Sequence, residues 1–106
     1  MYYTYVLLSK KDNKHYIGYT CDLKKRLKEH LLGKVESTKS RRSLELVYYE
    51  AYKEKDLAMR QEILYKTGQG RRILNKRLKK LLFVDNLRSS NFHRLKKFLL
   101  IRYIRL

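Results

Sequence analysis

The chain is short of cysteine, of acidic residues and of long apolar runs, and each shortage narrows what it can be. Cys21 stands alone, which excludes a disulfide framework and a cysteine-rich zinc module. No apolar run is long enough to cross a bilayer, and Met1 leads straight into a β-like segment with no signal-peptide pattern, so a cytoplasmic protein is expected. There are 10 Asp and Glu against 27 Lys and Arg, a formal net charge of +17 in 106 residues. The shortage of acid is sharpest after Asp56, where Glu62 and Asp85 are the only carboxylates. Such an excess costs self-repulsion and points to a polyanionic partner, nucleic acid first and an anionic membrane surface second. Solubility alone needs only modest net charge. The length suits a single small core.

What is present reads as a small α/β protein. Tyr2–Ser9 and His15–Tyr19 are rich in tyrosine and β-branched residues, and Asp12-Asn13 between them is a turn signal, giving a hairpin. In that hairpin Tyr5 and Tyr16 are expected to face each other. Asp22–Gly33 has Leu23, Leu27 and Leu31 at helical spacing, Thr20 or Asp22 to cap it and Gly33 to stop it. Lys34–Ser43 is polar, basic and without period, hence an expected exposed loop. Leu44–Tyr52 reads as a third strand, with Leu46 and Tyr48 on one face and Val47 and Tyr49 on the other. A helix opened by Glu54 or Asp56 should run to about Thr67. Gly68-Gln69-Gly70 should break it, and Arg71–Phe83 should form a third helix. Beyond a polar linker at Asn86–Asn91, the end of the chain carries Phe92, Leu95, Phe98 and Leu99 among basic residues, the pattern of a short amphipathic helix.

Polar residues at three places interrupt these patterns. Arg26 and His30 lie four apart and share a helix face beside the leucines. Glu62 falls in line with Ala58 and Tyr65, an inward position that a carboxylate normally avoids unless paired. Tyr3-Thr4-Tyr5 and Tyr16-Ile17-Gly18 occupy the two hairpin strands. Taken in order, these residues resemble the GIY-YIG nuclease family. The second tyrosine motif is intact, the first keeps only its final tyrosine, and Arg26, His30 and Glu62 match the family's helix arginine, following histidine and metal-binding glutamate. The likeness is greatest to short, stand-alone bacterial members, which carry a Lys-Ser-Thr-Lys-like loop and a Lys-Thr-Gly-x-Gly-Arg segment, here Lys66–Arg71.

The resemblance implies a three-stranded antiparallel sheet flanked by helices and a nuclease-like domain over residues 1–83; the basic amphipathic extension over 84–106 lies outside it. The resemblance also implies metal-dependent endonucleolytic cleavage of structured or single-stranded DNA, in repair, recombination or defence against mobile elements. The site would comprise Tyr5, Tyr16, Arg26, His30 and Glu62, with Glu62 holding Mg²⁺ or Mn²⁺. One carboxylate can suffice for a hard cation that keeps several waters. Arginine can fork onto a phosphate as lysine cannot. One of the two tyrosines would orient or deprotonate the attacking water, and the residues leave open which. No specificity module accompanies the matched segment, which leaves room for a protein partner that supplies one. Two rival readings stand beside the enzyme: a nucleic-acid-binding module of the same fold that has lost turnover, and a membrane-surface protein driven by the basic tail.

Overall fold

The computed structural model describes residues 1–87, with side chains through residue 80. Residues 88–106, with the amphipathic helix expected there, lie outside the described residues. The elements are β1 (Tyr2–Ser9), β2 (His15–Thr20), α1 (Leu23–Leu31), α2 (Glu36–Lys39), β3 (Leu44–Tyr52), α3 (Lys55–Lys66) and α4 (Gly68–Leu87). Met1–Ile63 forms one compact unit, and a second begins at Leu64. The first unit is built on a three-stranded antiparallel sheet in the order β2-β1-β3, flanked by helices.

Because β1 is central, it is buried on both faces, and Thr4, Tyr5, Val6 and Leu7 are each no more than 1% exposed. Its two faces meet different helices. Thr4 donates to the Ala58 carbonyl of α3 at 2.6 Å, while Tyr5 on the other face meets α1. Asn13 closes the hairpin in the left-handed region at φ +57°, which asparagine tolerates, and Lys14 N–H caps the Asp12 carboxylate at 3.0 Å. The register sets Tyr5 opposite Gly18 and Tyr16 opposite Leu7, so the two tyrosines are diagonal neighbours and not directly opposed. On the other side of β1 an irregularity between Val6 and Leu7 pairs Val6 with Tyr48 and Leu7 with Leu46. Val47 is the extra residue, and the simple alternation expected over Leu46–Tyr49 is interrupted there.

Asp22 caps α1 by accepting from Lys25 N–H at 3.1 Å. At its other end Gly33 N–H bonds to the His30 carbonyl and Lys34 N–H to the Glu29 carbonyl, with Gly33 at φ +74°. That pair of bonds is a Schellman stop, and glycine supplies its left-handed residue at no steric cost. Leu23 and Leu27 are buried, but Leu31 is half exposed.

The stretch from Lys34 to Ser43 is not a free loop. It contains α2, buries Val35 and Thr38, and is strapped to the hairpin turn. Ser9 donates to the Arg41 carbonyl at 2.6 Å, Lys10 N–H to the Ser43 carbonyl at 2.8 Å, and Arg41 pairs with Asp12 at 2.9 Å. Only two inward side chains, three residues apart, mark this element, too few to give a period.

In the second unit, Gly68-Gln69-Gly70 does not merely break α3; it is the first turn of α4. Thr67 is its N-cap, accepting from Gly70 N–H at 3.0 Å while its hydroxyl donates to the Leu64 carbonyl at 2.6 Å. A Cβ on Gly70 would sit 1.7 Å from the Leu64 carbonyl oxygen, so that corner admits glycine alone. The helix continues past the expected Phe83 through Leu87, into what reads from sequence as the start of a linker. Arg77 donates to the Tyr65 hydroxyl and lies 5.9 Å from the centre of its ring.

Candidate active site

Four of the five residues singled out above come together where the β1–β2 hairpin meets α1. Gly18 makes the first contact possible. A Cβ there would lie 2.4 Å from the ring and hydroxyl of Tyr5, so the missing side chain lets that ring cross strand β2 and reach α1. The Tyr5 hydroxyl is 2.8 Å from His30 Nε2, and the rings of Tyr5, Tyr16 and His30 pack edge-on or tilted with centres 5.2–6.4 Å apart. His30 is fully buried rather than capping carbonyls at the helix end, and its Nδ1 is 2.7 Å from the Thr38 hydroxyl.

Arg26, one turn before His30, lies close enough to the Tyr5 oxygen for its charge to act on the phenol. Its other partner is Glu29, at 3.5 Å, a half-exposed pair of the kind worth about 0–1 kcal/mol. Lys24, Lys25 and Lys28 around it are exposed, whereas Arg26 is half-buried. Glu62 is half-buried on α3 in the same stripe as the buried Ala58 and Tyr65. Ala58 is the residue held by Thr4, and the Glu62 charge is felt at Tyr5, where it opposes ionisation. Leu57, Ile63 and Leu64 of the same helix are exposed, so its inward stripe is narrow.

The electrostatics follow from burial. Desolvation pushes the Tyr5 phenol up to about 12 despite the adjacent Arg26, so Tyr5 is a neutral hydroxyl at physiological pH. Desolvation, and then the Arg26 charge, hold the His30 imidazole down at about 4. Between pH 4 and the ordinary histidine value of 6.5 the unfolded chain therefore binds more protons than the native one. The neutral imidazole contributes fully above that window, and its contribution is lost as pH falls through it, at most about 3 kcal/mol. The urea midpoint should fall across this range, and His30→Gln should show a shallower fall. A slope unchanged by the substitution would show that His30 is not the titrating group. Asp12, held at about 2 by Arg41, titrates below this window.

As a metal donor Glu62 is a lone hard oxygen. Among the described residues no group of three or more His, Cys, Asp or Glu converges on a point. That set does not suit a closed zinc site, but it suits a hard cation that retains waters and takes further oxygens from a phosphate. Among the described residues no helix is long and apolar enough to cross a membrane.

Sequence reasoning missed Thr38, the residue on the far side of His30. Its only signal is its place in the Lys-Ser-Thr-Lys-like loop, a stretch whose polarity reads as solvent exposure. His15 is half-buried.

A family model described as the GIY-YIG catalytic domain matches residues 1–76. The UPF0213 protein of Bacillus pumilus (strain SAFR-032) is 41% identical over 88 residues, covering 82% of this chain and 82% of that protein. The UPF0213 protein YazA of Bacillus subtilis (strain 168) is 41% identical over 81 residues, 76% of this chain and 75% of the relative. A solution NMR structure of the UPF0213 protein BH0048 from Bacillus halodurans is 35% identical, covers 72% of this chain and 84% of its own, and superposes with a TM-score of 0.46.

Proposed function

The chain belongs to the GIY-YIG family of nuclease-type domains, and from that premise we propose that it is a divalent-metal-dependent endonuclease that hydrolyses DNA phosphodiester bonds. The observation that carries the reading is the convergence of Tyr5, Tyr16 and His30 where the hairpin meets α1, with Arg26 one turn before His30 on the same helix. An arginine that can fork onto a phosphate, on a protein of net charge +17, suits an anionic diester.

In this reading Arg26 binds the phosphate and neutralises the charge that grows on its oxygens in the transition state. It exchanges its weak partner Glu29 for the phosphate and keeps Tyr5 as its backing. Glu62 would hold Mg²⁺ or Mn²⁺, which when bound supplies Lewis-acid stabilisation of the phosphate. Tyr16, half-buried where Tyr5 is buried, is the tyrosine of the pair that can orient the attacking water. The water oxygen bonds to phosphorus as the bond to the leaving oxygen breaks, and that oxygen takes up a proton. The exposed Lys24, Lys25 and Lys28 on α1 offer sequence-independent contacts to neighbouring phosphates.

Incubation with branched, flapped and linear DNA, with Mg²⁺, with Mn²⁺ and with chelator, tests this reading. Metal-dependent, chelator-sensitive cleavage is expected. Binding without cleavage of every substrate under both metals would replace the enzyme by a nucleic-acid-binding module of the same fold.

A further inference from the structure

Behind Arg26 lies a line of buried polar groups that ends on Thr38. The line runs from the Tyr5 hydroxyl to His30 Nε2 at 2.8 Å and from His30 Nδ1 to the Thr38 hydroxyl at 2.7 Å, and the Arg26 charge acts on its Tyr5 end. Tyr5 is 1% exposed, and His30 and Thr38 are 0% exposed, so none of the three relies on bulk water for a partner. The donor roles follow from the Tyr5 end. A guanidinium has only N–H groups and offers the phenolic proton no acceptor, so toward Arg26 the Tyr5 oxygen can only accept. The phenol is neutral and keeps its own proton, and the acceptor beside it is His30 Nε2. An imidazole that accepts at Nε2 while neutral carries its proton on Nδ1, and that proton points at Thr38.

We propose that Thr38 is a positioning residue: its hydroxyl accepts the His30 Nδ1–H, fixing the tautomer that receives the Tyr5 proton and so turns the Tyr5 oxygen toward Arg26. With the other tautomer, Nε2–H would point at the Tyr5 oxygen and the Thr38 hydroxyl would donate to Nδ1, so the phenolic proton would lose the acceptor beside it, a costly outcome in a buried site. The strapping of α2 supplies the rigidity this role needs. Ser9, Lys10 and Lys11 donate to the carbonyls of Arg41, Ser43 and Ser40, at 2.6, 2.8 and 3.0 Å. These bonds tie the segment after Thr38 to the hairpin that carries Tyr5. The side chain that sets the tautomer and the strand that reads it therefore move as one body.

The kinetic half of this inference rests on the nuclease reading, but the structural half does not, and the two are tested separately. Nitrogen-15 NMR of the histidine side chains, on the whole protein at neutral pH, reports which His30 nitrogen is protonated. Wild type should give the Nδ1–H pattern, Thr38→Ser should keep it, and Thr38→Val, equal in size but unable to accept, should lose it. On DNA, Thr38→Val should lower kcat about 10–100-fold, as loss of a partner that orients a site histidine does, with little change in KM. Thr38→Ser should recover most of the rate. An Nε2–H imidazole in wild type overturns the proposal, and so does a folded Thr38→Val protein that retains the Nδ1–H pattern. Should the valine variant not fold, the wild-type and serine spectra still decide, since Nε2–H in either refutes it. If wild type cuts no DNA, the nuclease reading fails and the tautomer result stands by itself.

Discussion

Glu62→Gln protein should fold, bind DNA at least as tightly as wild type, and leave it uncut. The substitution keeps the size of a half-buried side chain that lies in the same helical stripe as Ala58 and Tyr65, so packing of α3 is preserved. In the proposed reading it removes the carboxylate that would hold the hard cation, and a neutral amide is a poor substitute. Lewis-acid stabilisation of the transition state is worth several kcal/mol, so the rate should fall by roughly 10²–10⁴-fold. DNA affinity should hold or rise, because one negative charge leaves a strongly positive protein and repulsion toward phosphate decreases. The measurements are single-turnover cleavage, DNA binding in chelator, and Mn²⁺ titration of protein without DNA, where the variant should bind the ion more weakly. Wild-type cleavage with unaltered metal response would remove Glu62 from the site.

That Glu62 stands out from sequence while Thr38 does not has a physical cause. Glu62 contradicts its local pattern: it is a carboxylate in an inward stripe, in the half of the chain with almost no acid. The hairpin and α1 are legible for a similar reason, because Asp12-Asn13, the Asp22 cap and the Gly33 stop each act within a few residues. Tyr5 and Tyr16 could be assigned to one hairpin but not to a register. Their diagonal placement depends on the length of the turn and on Gly18 leaving room for a ring from the next strand. The bulge at Val47 is likewise a property of two strands together. Thr38 sits in a polar segment whose burial is decided by bonds to a turn some thirty residues away, and no local pattern records those. The glycines that open α4 misled for a different reason. Glycine is a helix breaker by propensity, but Gly70 is required where the Leu64 carbonyl occupies the space of a side chain, and Thr67 supplies the cap that lets a helix start over it.

Arg26→Ala should lower the cleavage rate by roughly 10²–10³-fold, the scale of removing one preorganised donor from a transition state. Arg26→Lys should recover little of that loss. The geometry around the residue sharpens this expectation beyond charge. In the proposed reading Arg26 reaches a phosphate on one side while keeping Tyr5 on the other, and it sheds Glu29 to do so. A guanidinium spreads five donors over a rigid plane and can serve both sides at once. A lysine ammonium is a single compact centre, so contact with Tyr5 draws it away from the phosphate. Binding separates the two contributions. Arg26→Lys should retain most of the DNA affinity and its salt dependence, since one cation replaces another, while the chemical step remains slow. Arg26→Ala should lose both. A lysine variant that cleaves at the wild-type rate would mean that charge alone is used at this position, and neither the forked contact with the phosphate nor the backing by Tyr5 would survive.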